Sequence, residues 1–211
     1  MKTALVAGAS GLVGMSLVKM LATNDQYAMV HILVRKKIEW AHPKLAQHVV
    51  DFDQIETFSL DFKLDDAFCT LGTTIAKAGS QAAFIRVDQD YVISYAKKAR
   101  SLGAQGFFVV SSMGANSSSR IFYNRIKGLM EENLKAINFT TLAIFRPSLL
   151  LGPRTDKRAG EKFAGWMMNA FDFAIPAKYK SIHVDMVAKK MIEVALRGDQ
   201  GIFTLESDQL Q

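Results

Sequence analysis

The sequence lacks the features that mark several protein classes. Cys69 is the only cysteine in 211 residues, so no internal disulfide can form. No apolar run is long enough to cross a bilayer, and no signal peptide is visible at the start of the chain. The four histidines show no spacing typical of a metal site. We therefore predict an intracellular, cytoplasmic protein with no membrane partner and no metal.

The net charge of +6 comes from lysines and arginines scattered along the chain. A nucleic-acid partner needs a clustered basic patch, and the longest basic run is the tripeptide at 35–37, without interleaved aromatics. We therefore predict an anionic small-molecule ligand and no nucleic-acid partner. With 49% hydrophobic and 22% charged residues, the composition is that of a single globular domain over 1–211.

The most informative stretch is residues 1–14, which read M-K-T-A-L-V-A-G-A-S-G-L-V-G. Residues 3–7 are a short apolar run, which favours a buried strand. Gly8, Gly11 and Gly14 follow at once, and residues 12–21 continue with apolar residues at helical spacing. A strand, a glycine turn and a helix form the context that a dinucleotide-binding motif requires.

The glycine spacing has a physical reason. Gly8 permits a tight turn at the strand end, Gly11 lets the backbone approach a pyrophosphate, and Gly14 lets the helix pack against the strand. The free N–H groups at the start of the helix then face the phosphates. Three glycines alone are weak evidence, and the alternative is a glycine-rich turn that binds nothing.

Residues 28–34 predict a second buried strand, followed by Arg35 and Lys36. In a βαβ dinucleotide fold this strand end faces the adenosine ribose, where arginine accommodates a 2′-phosphate and an acidic residue binds a 2′-hydroxyl. We therefore predict NADP(H) over NAD(H). The alternative is that Arg35 and Lys36 form only an exposed turn.

The remaining pattern alternates strands with helices. Further strands are predicted at 49–52, 67–71, 106–110, 140–145 and 201–205, and further helices at 53–60, 81–102, 120–137 and 184–196. This alternation predicts an α/β fold, a Rossmann-like doubly wound parallel sheet. Asp51, at the end of a predicted strand, is a candidate for the adenine edge, although a loop carboxylate is more often only solvated.

A second group of residues has a pattern suited to proton transfer. Tyr123 and Lys127 are four residues apart and share one face of a predicted helix. A nearby ammonium favours the phenolate form of a tyrosine, which suits acid–base work. The ammonium can also hold the ribose hydroxyls of a dinucleotide, so Tyr123 and Lys127 are candidate cofactor residues as well. Ser111 and Ser112 follow a predicted strand, at the edge where ligands bind in open α/β sheets. Either serine is a candidate to hydrogen-bond a substrate carbonyl.

These motifs resemble the short-chain dehydrogenase/reductase superfamily in its atypical extended branch. The glycine motif is G-A-S-G-L-V-G at 8–14 and the tyrosine–lysine pair lies in Y-N-R-I-K at 123–127. More closely, the chain is similar to the HIV Tat-interacting protein family of oxidoreductase-like proteins and its bacterial relatives. The matching stretches are V-D-F at 50–52, C-T-L-G-T-T at 69–74, K-A-G-S at 77–80, F-I-R-V-D-Q-D-Y-V at 84–92, V-S-S-M-G-A at 110–115 and I-F-R-P-S-L-L-L-G at 144–152.

The resemblance implies an NADP(H)-binding Rossmann fold and a role for each matching residue. Tyr123 would be the catalytic acid/base, Lys127 its modulator, and Ser112 the serine partner, with Ser111 still open. Arg35 would meet the 2′-phosphate. The other residues that it implies as cofactor contacts are Gly8, Ser10, Gly11, Leu12, Val13 and Gly14 at the pyrophosphate, Leu71, Gly72 and Thr73 at the ribose, and Pro147 and Ser148 at the nicotinamide.

The resulting functional prediction is an NADP(H)-dependent oxidoreductase that transfers hydride between nicotinamide and a small carbonyl or alcohol substrate. Two alternatives are an NADPH-binding regulatory module without turnover and an epimerase or dehydratase that retains its cofactor. Residues 149–180 are the predicted substrate-side insertion, and the protein is expected to be a monomer or a homodimer.

Overall fold

The computed structural model describes residues 1–152 and 180–211, and the structural statements that follow concern those residues. Seven parallel strands form the main sheet: β1 Lys2–Ala7, β2 Tyr27–Val34, β3 Leu45–Val49, β4 Asp66–Cys69, β5 Gly106–Val110, β6 Thr141–Arg146 and β9 Gly201–Glu206. Their spatial order is β3-β2-β1-β4-β5-β6-β9. Two short strands, β7 Leu150–Leu151 and β8 Ile182–His183, pair separately.

Helices cover both faces of the sheet. They are α1 Leu12–Thr23, α2 Ile75–Ala78, α3 Gln81–Ile85, α4 Tyr91–Ser101, α5 Phe122–Lys135 and α6 Val184–Arg197, with a π turn at Arg86–Asp90 and 3₁₀ turns at Phe52–Thr57 and Ser207–Leu210. One apolar core joins α1 and α6 to the sheet, and a second joins α4 and α5 to its other face.

Strand β1 shows why the sheet is doubly covered. Ala4 and Val6 belong to the core under α1 and α6, while the alternating Leu5 and Ala7 belong to the core under α4 and α5. A strand buried on both faces reads as an unbroken apolar run, because successive side chains point to opposite faces. The predicted α/β fold with a doubly wound parallel sheet is confirmed.

The sheet order also determines where a ligand can bind. From β1 the chain runs outward through β2 and β3, then returns to place β4 on the other side of β1. Loops leaving β1 and β4 at their carboxyl ends therefore diverge and leave a crevice between them, which is the usual ligand position in open α/β sheets. The glycine turn follows β1 at this point.

Two predicted boundaries near the sheet edge are wrong. The third strand was expected at 49–52 but lies at Leu45–Val49, and the helix expected at 53–60 is a 3₁₀ turn at Phe52–Thr57. Strand β3 lies at the edge of the sheet, and all its residues except the exposed Val49 are half-buried. An edge strand tolerates polar residues such as Gln47 and His48, so an apolar run does not reveal it.

The long helix expected at 81–102 is present but interrupted by the π turn between α3 and α4. Within the described ranges, no helix is long and apolar enough to span a bilayer. Most of the predicted substrate-side insertion at 149–180 falls on residues 153–179, which lie outside the described residues.

Candidate functional site

The glycine turn after β1 is packed against the loop that follows β4. Gly8 has φ +89°, and a Cβ added there would lie 2.5 Å from the carbonyl carbon of Thr70. A Cβ at Gly14 would lie 2.1 Å from the carbonyl oxygen of Gly8. The backbone N–H of Gly11 donates to that same carbonyl at 2.9 Å. The turn therefore has the close backbone packing that the sequence predicts, with no room for side chains at its first and third glycines.

The start of α1 has the properties of an anion site. Gly11 is the N-cap residue, no side chain caps the helix, and the first turn carries no acidic residue. The N–H groups of Leu12, Val13 and Gly14 have no acceptor within the helix because they belong to its first turn. Ser10 is exposed immediately before this turn. Uncapped N–H groups at a helix start bind phosphate, so these residues fit a pyrophosphate.

Arg35 and Lys36 follow the carboxyl end of β2, as the sequence predicts, and both are exposed, which fits the cofactor prediction and the exposed-turn alternative alike. Neither side chain forms an ion pair or hydrogen bond with a described residue in the structure. Two cationic side chains are thus presented to solvent next to the crevice. This arrangement suits a 2′-phosphate, and no acidic side chain occupies the strand end in their place.

Asp51 stabilises the turn that follows β3. Its side chain accepts a hydrogen bond from the N–H of Asp53 at 2.9 Å and caps the 3₁₀ turn that follows β3. Beside it lies a shallow cavity of about 270 Å³, whose lining includes Val50, Asp51 and Phe58. The capping bond occupies one acceptor position on Oδ1, so the carboxylate keeps acceptor positions for the predicted adenine contact.

The tyrosine–lysine pair lies on α5, and the lysine is buried against an acidic residue that the sequence analysis missed. The Lys127 Nζ lies 2.7 Å from Asp88 Oδ1, and both residues are almost fully buried, at 3% and 1% exposure. Burial acts to lower the pKa of Lys127, but the Asp88 carboxylate and the Tyr123 side chain outweigh it, and the pKa is raised. Lys127 is therefore an ammonium at neutral pH.

The loop after β4 meets this ion pair. The backbone N–H of Thr73 donates to Asp88 Oδ2 at 2.8 Å. A Cβ added at Gly72 would lie 3.5 Å from Asp88 Oδ1 and 3.9 Å from Lys127 Nζ. The structure thus brings Gly72 and Thr73, two predicted cofactor residues, next to the predicted catalytic lysine. Leu71, the third, packs against the core beneath α4 and α5.

Tyr123 lies one helical turn before Lys127 and is half-buried. Its ring packs against Phe84 of α3, with ring centroids 5.4 Å apart. This contact holds the phenol between α5 and α3, on the same side of the helix as Lys127. The pair therefore has the shared orientation expected from its spacing of four residues.

The two serines after β5 have different surroundings. Ser111 is buried, and its Oγ donates to Glu131 Oε1 at 2.5 Å. The Oγ of Ser112 is also buried, but it has no hydrogen-bond partner among the described residues. A buried hydroxyl without a partner is costly unless a ligand or water satisfies it. This contrast favours Ser112 over Ser111 as the serine available to a substrate.

Glu131 is the second acidic residue that the sequence analysis missed. Its carboxylate accepts from Arg146 Nε at 3.0 Å and from Arg146 Nη2 at 2.6 Å, in addition to the bond from Ser111. Arg146 also donates to Glu206 at 2.9 Å. The pKa of Arg146 is raised, chiefly by its hydrogen bond to Glu131. This network joins α5 to the ends of β5, β6 and β9.

The loop that carries Ser112 is held on both sides. The N–H of Met113 donates to the carbonyl of Pro147 at 3.0 Å, and the N–H of Asn116 donates to the carbonyl of Asn124 at 3.0 Å. A Cβ at Gly128 would lie 2.1 Å from the backbone nitrogen of Ser117. Because Gly128 has no side chain, the loop rests directly on α5, which fixes the serines relative to the tyrosine–lysine pair.

Pro147 and Ser148, predicted at the nicotinamide, are bonded into the fold. Pro147 is buried and its carbonyl holds the serine loop. The Ser148 hydroxyl donates to the carbonyl of Lys180 and accepts a hydrogen bond from the Ser207 hydroxyl at 2.9 Å. Both therefore lie at the carboxyl end of β6, on the same edge of the sheet as the serine loop, and their contact with a nicotinamide stays a prediction.

Comparison with known proteins gives the family and the fold of the chain. No family model matches the chain. The rat protein HTATIP2 is 35% identical over 184 residues, which is 85% of this chain and 74% of that protein. The chain belongs to the HTATIP2 family. The resemblance predicted from the sequence is confirmed.

A fungal group is similar to a comparable degree. The protein FMP52 of Eremothecium gossypii, named as mitochondrial, is 35% identical over 157 residues, covering 74% of this chain and 70% of that protein. The word mitochondrial in that name describes the fungal protein. A cytoplasmic location for this member of the HTATIP2 family is not confirmed.

Solved structures share the fold at low sequence identity. The UDP-glucose 4-epimerase of Thermotoga maritima has a TM-score of 0.73 at 17% identity and covers 97% of this chain and 76% of the epimerase. A short chain dehydrogenase family protein from Francisella tularensis has a TM-score of 0.69 at 15% identity and covers 99% of this chain and 98% of that protein. MoeE5, in complex with UDP-glucose and NAD, has a TM-score of 0.72 at 16% identity and covers 96% of this chain and 75% of MoeE5. These likenesses show the Rossmann fold of the short-chain dehydrogenases.

Proposed function

We propose that this HTATIP2-family protein is an NADP(H)-dependent oxidoreductase that acts on a small carbonyl or alcohol. The observation that carries the proposal is the position of Lys127. Its ammonium lies beside Gly72, in the loop after β4 that also packs against the glycine turn. A proton-transfer pair and a phosphate-binding turn therefore share one crevice at the switch point of the sheet.

The residues around the crevice divide into those that would hold the cofactor and those that would act on the substrate. Leu12, Val13 and Gly14 would hold the pyrophosphate through backbone N–H groups, and Arg35 with Lys36 would hold the 2′-phosphate. A bound nicotinamide would supply or accept the hydride. The glycine turn, which has no side chains at Gly8 and Gly14, and the uncapped start of α1 fit the phosphates of a dinucleotide.

Three side chains would handle the substrate oxygen. Ser112 would donate its unpartnered hydroxyl to the carbonyl oxygen, which polarises and orients it. Tyr123 would give the proton to that oxygen during reduction, or take it during oxidation. Lys127, held as an ammonium by Asp88, would stabilise negative charge on the tyrosine oxygen during the transfer. The same ammonium would also donate to the ribose hydroxyls of the cofactor.

The cofactor choice is tested by direct binding. We expect Arg35→Gln to weaken NADPH binding by about tenfold, because a charge-assisted contact to phosphate is lost. NADH binding should stay the same, since NADH has no 2′-phosphate. Lys37→Gln is the matched control, because it removes a neighbouring exposed cation with no assigned contact. Fluorescence titration measures the affinities of wild type, Arg35→Gln and Lys37→Gln for both cofactors. Equal affinity of wild type for NADPH and NADH would overturn the cofactor assignment.

The chemistry is tested at the phenol. Tyr123→Phe removes a single oxygen, so NADPH affinity should change by no more than about twofold while turnover on a panel of aldehydes and ketones is lost. Tyr91→Phe is the control, since the Tyr91 phenol bonds to Asp53, away from the crevice. An active Tyr123→Phe variant would contradict the proposal. Tight NADPH binding with no turnover by any variant would favour the regulatory module.

A cytoplasmic location and a monomeric or homodimeric state are further parts of the proposal. They rest on the sequence alone, and fungal FMP52 proteins are named as mitochondrial. Cell fractionation of the native host tests the location, and sedimentation equilibrium tests the oligomeric state. A mitochondrial pool or a larger assembly would contradict the respective part.

A further inference from the structure

We propose that Asp88 is a positioning residue that keeps the Lys127 ammonium charged and fixed beside the cofactor-side turn at Gly72 and Thr73. This inference rests on the proposed function, because it assigns Lys127 to a dinucleotide site. It adds a residue that neither the tyrosine–lysine spacing nor the glycine motif indicates.

One carboxylate connects two parts of the site. Asp88 Oδ1 lies 2.7 Å from Lys127 Nζ, and Asp88 Oδ2 accepts from the N–H of Thr73 at 2.8 Å. Oδ1 is thus held by an ion pair with the lysine of α5, and Oδ2 by a hydrogen bond from the loop after β4. Movement of Asp88 would therefore shift the lysine and the loop together.

The position of Asp88 depends on the π turn at Arg86–Asp90. A π turn inserts an extra residue into a helix and is often found at functional sites. Within this turn Asp88 is buried, whereas Arg86 and Asp90 are exposed. Arg86 pairs with Asp53 at 3.1 Å, outside the site. The turn therefore directs one of its two carboxylates into the protein, toward α5.

The charge balance explains why the carboxylate is needed. A buried ammonium without a partner pays a desolvation penalty and tends to lose its proton. The groups that face Lys127 are Asp88 from the π turn, Tyr123 from its own helix and the Cys69 thiol from the end of β4. Burial raises the pKa of Cys69 to about 12, so the thiol is neutral. Asp88 is thus the anionic partner of Lys127 at neutral pH.

The test compares Asp88→Asn with Asp90→Asn, which removes a carboxylate from the exposed side of the same turn. The dissociation constant of NADPH is measured from about pH 7 to about pH 10 for both variants and for wild type. Wild type and Asp90→Asn should give the same pH profile. In Asp88→Asn the pKa of Lys127 should fall, so NADPH binding should weaken by a further factor of about ten as pH rises and the ammonium is lost.

A second readout does not depend on the cofactor. In Asp88→Asn the unpaired buried ammonium should reduce the free energy of unfolding most at about pH 7, and the deficit relative to Asp90→Asn should shrink toward about pH 10. The sign follows from proton binding. When the folded-state pKa of a lysine is lowered, the unfolded state binds the proton more tightly, so stability is lost at low pH and recovers as pH rises. Adding Lys127→Met to Asp88→Asn should abolish this pH dependence and restore part of the stability.

The outcomes separate the two proposals. A loss of affinity and stability that is the same at every pH would overturn the inference, because it would show only a packing role. So would an Asp88→Asn variant that behaves like Asp90→Asn. If wild type binds no NADPH, the proposed function fails, and the stability profile still tests the role of Asp88. If Asp88→Asn does not fold, a folded double variant with Lys127→Met supports the inference and an unfolded one overturns it.

Discussion

Replacing Glu131 with alanine removes the acceptor of three hydrogen bonds at once. Ser111 Oγ donates to it at 2.5 Å, and Arg146 donates through Nε at 3.0 Å and through Nη2 at 2.6 Å. The Glu131 side chain is 2% exposed, so in the native protein these bonds are shielded from bulk water. The change leaves a buried hydroxyl and a partly buried guanidinium without their main partner.

The magnitude follows from the two partners. Breaking a buried ion pair by removing one member costs about 3–5 kcal/mol. Arg146 retains Glu206 at 2.9 Å and its side chain is 22% exposed, so water relieves part of its charge. We therefore expect a loss of about 3 kcal/mol, at the lower end of that range. For a chain of this size that lowers the melting temperature by about 6–12 °C.

Glu132→Ala is the matched control, since it makes the same chemical change one residue later on the same helix. Glu132 is exposed, and it accepts a hydrogen bond from Ser117 on the surface. We expect its loss to change stability by about 0.5 kcal/mol or less. Both variants are measured by urea unfolding and by thermal denaturation. Equal stability of the two variants would refute the claim that the Glu131 network holds α5 to the strand ends.

Three other perturbations test separate parts of the structure. Gly14→Ala should weaken NADPH binding by more than about tenfold in calorimetry, because its methyl group would lie 2.1 Å from the Gly8 carbonyl oxygen; unchanged binding would contradict a phosphate site at the glycine turn. Burial, and then the charge of His48, lower the pKa of His31 to about 4, so the folded state favours the neutral ring. The free energy of unfolding should therefore fall as pH drops from about 6.5 to about 4, and less so in His31→Leu; identical slopes would exclude His31 as the cause. Burial raises the pKa of the Cys69 thiol to about 12, so a disulfide reagent should label it only after denaturant is added, and fast labelling of the native protein would contradict its burial.

The features that the sequence predicted correctly are those whose cause is local. Gly8 and Gly14 are required by a turn whose atoms lie within a few residues or in the adjacent loop, and β1 is apolar throughout because both its faces are buried. Strand β3 was misplaced because its position is set by pairing with β2, in the register Val30↔Leu45 to Val34↔Val49. That pairing depends on the sheet edge and leaves no apolar signature in β3 itself.

The acidic partners could not be predicted, because their roles depend on contacts between distant segments. Asp88 lies in a stretch with a second aspartate, Asp90, and nothing in the local pattern shows which of them turns inward. For the same reason, the sequence could not show which of Ser111 and Ser112 is free to contact a ligand. Adjacent residues at a strand end point in different directions, and only the position of α5 decides which one meets Glu131.

Helix α5 connects these observations. Tyr123, Lys127 and Glu131 follow one another at intervals of four residues, so they form one stripe on the helix. Burial increases along the stripe, from a half-buried phenol to an ammonium and a carboxylate that are almost fully buried. Each buried charge meets an opposite charge from another element, Asp88 for Lys127 and Arg146 for Glu131.

The same stripe accounts for the difference between the two serines. Glu131 accepts the hydroxyl of Ser111 and so removes it from the crevice, whereas Ser112 has no such partner among the described residues. Under the proposed function, the deep end of α5 anchors the serine loop to the sheet and the shallow end holds the proton-transfer pair. By themselves, a tyrosine and a lysine four residues apart on a helix are weak evidence for a proton-transfer site. The glutamate one turn further, bonded to a strand-end serine, is what relates the pair geometrically to the carboxyl ends of the strands.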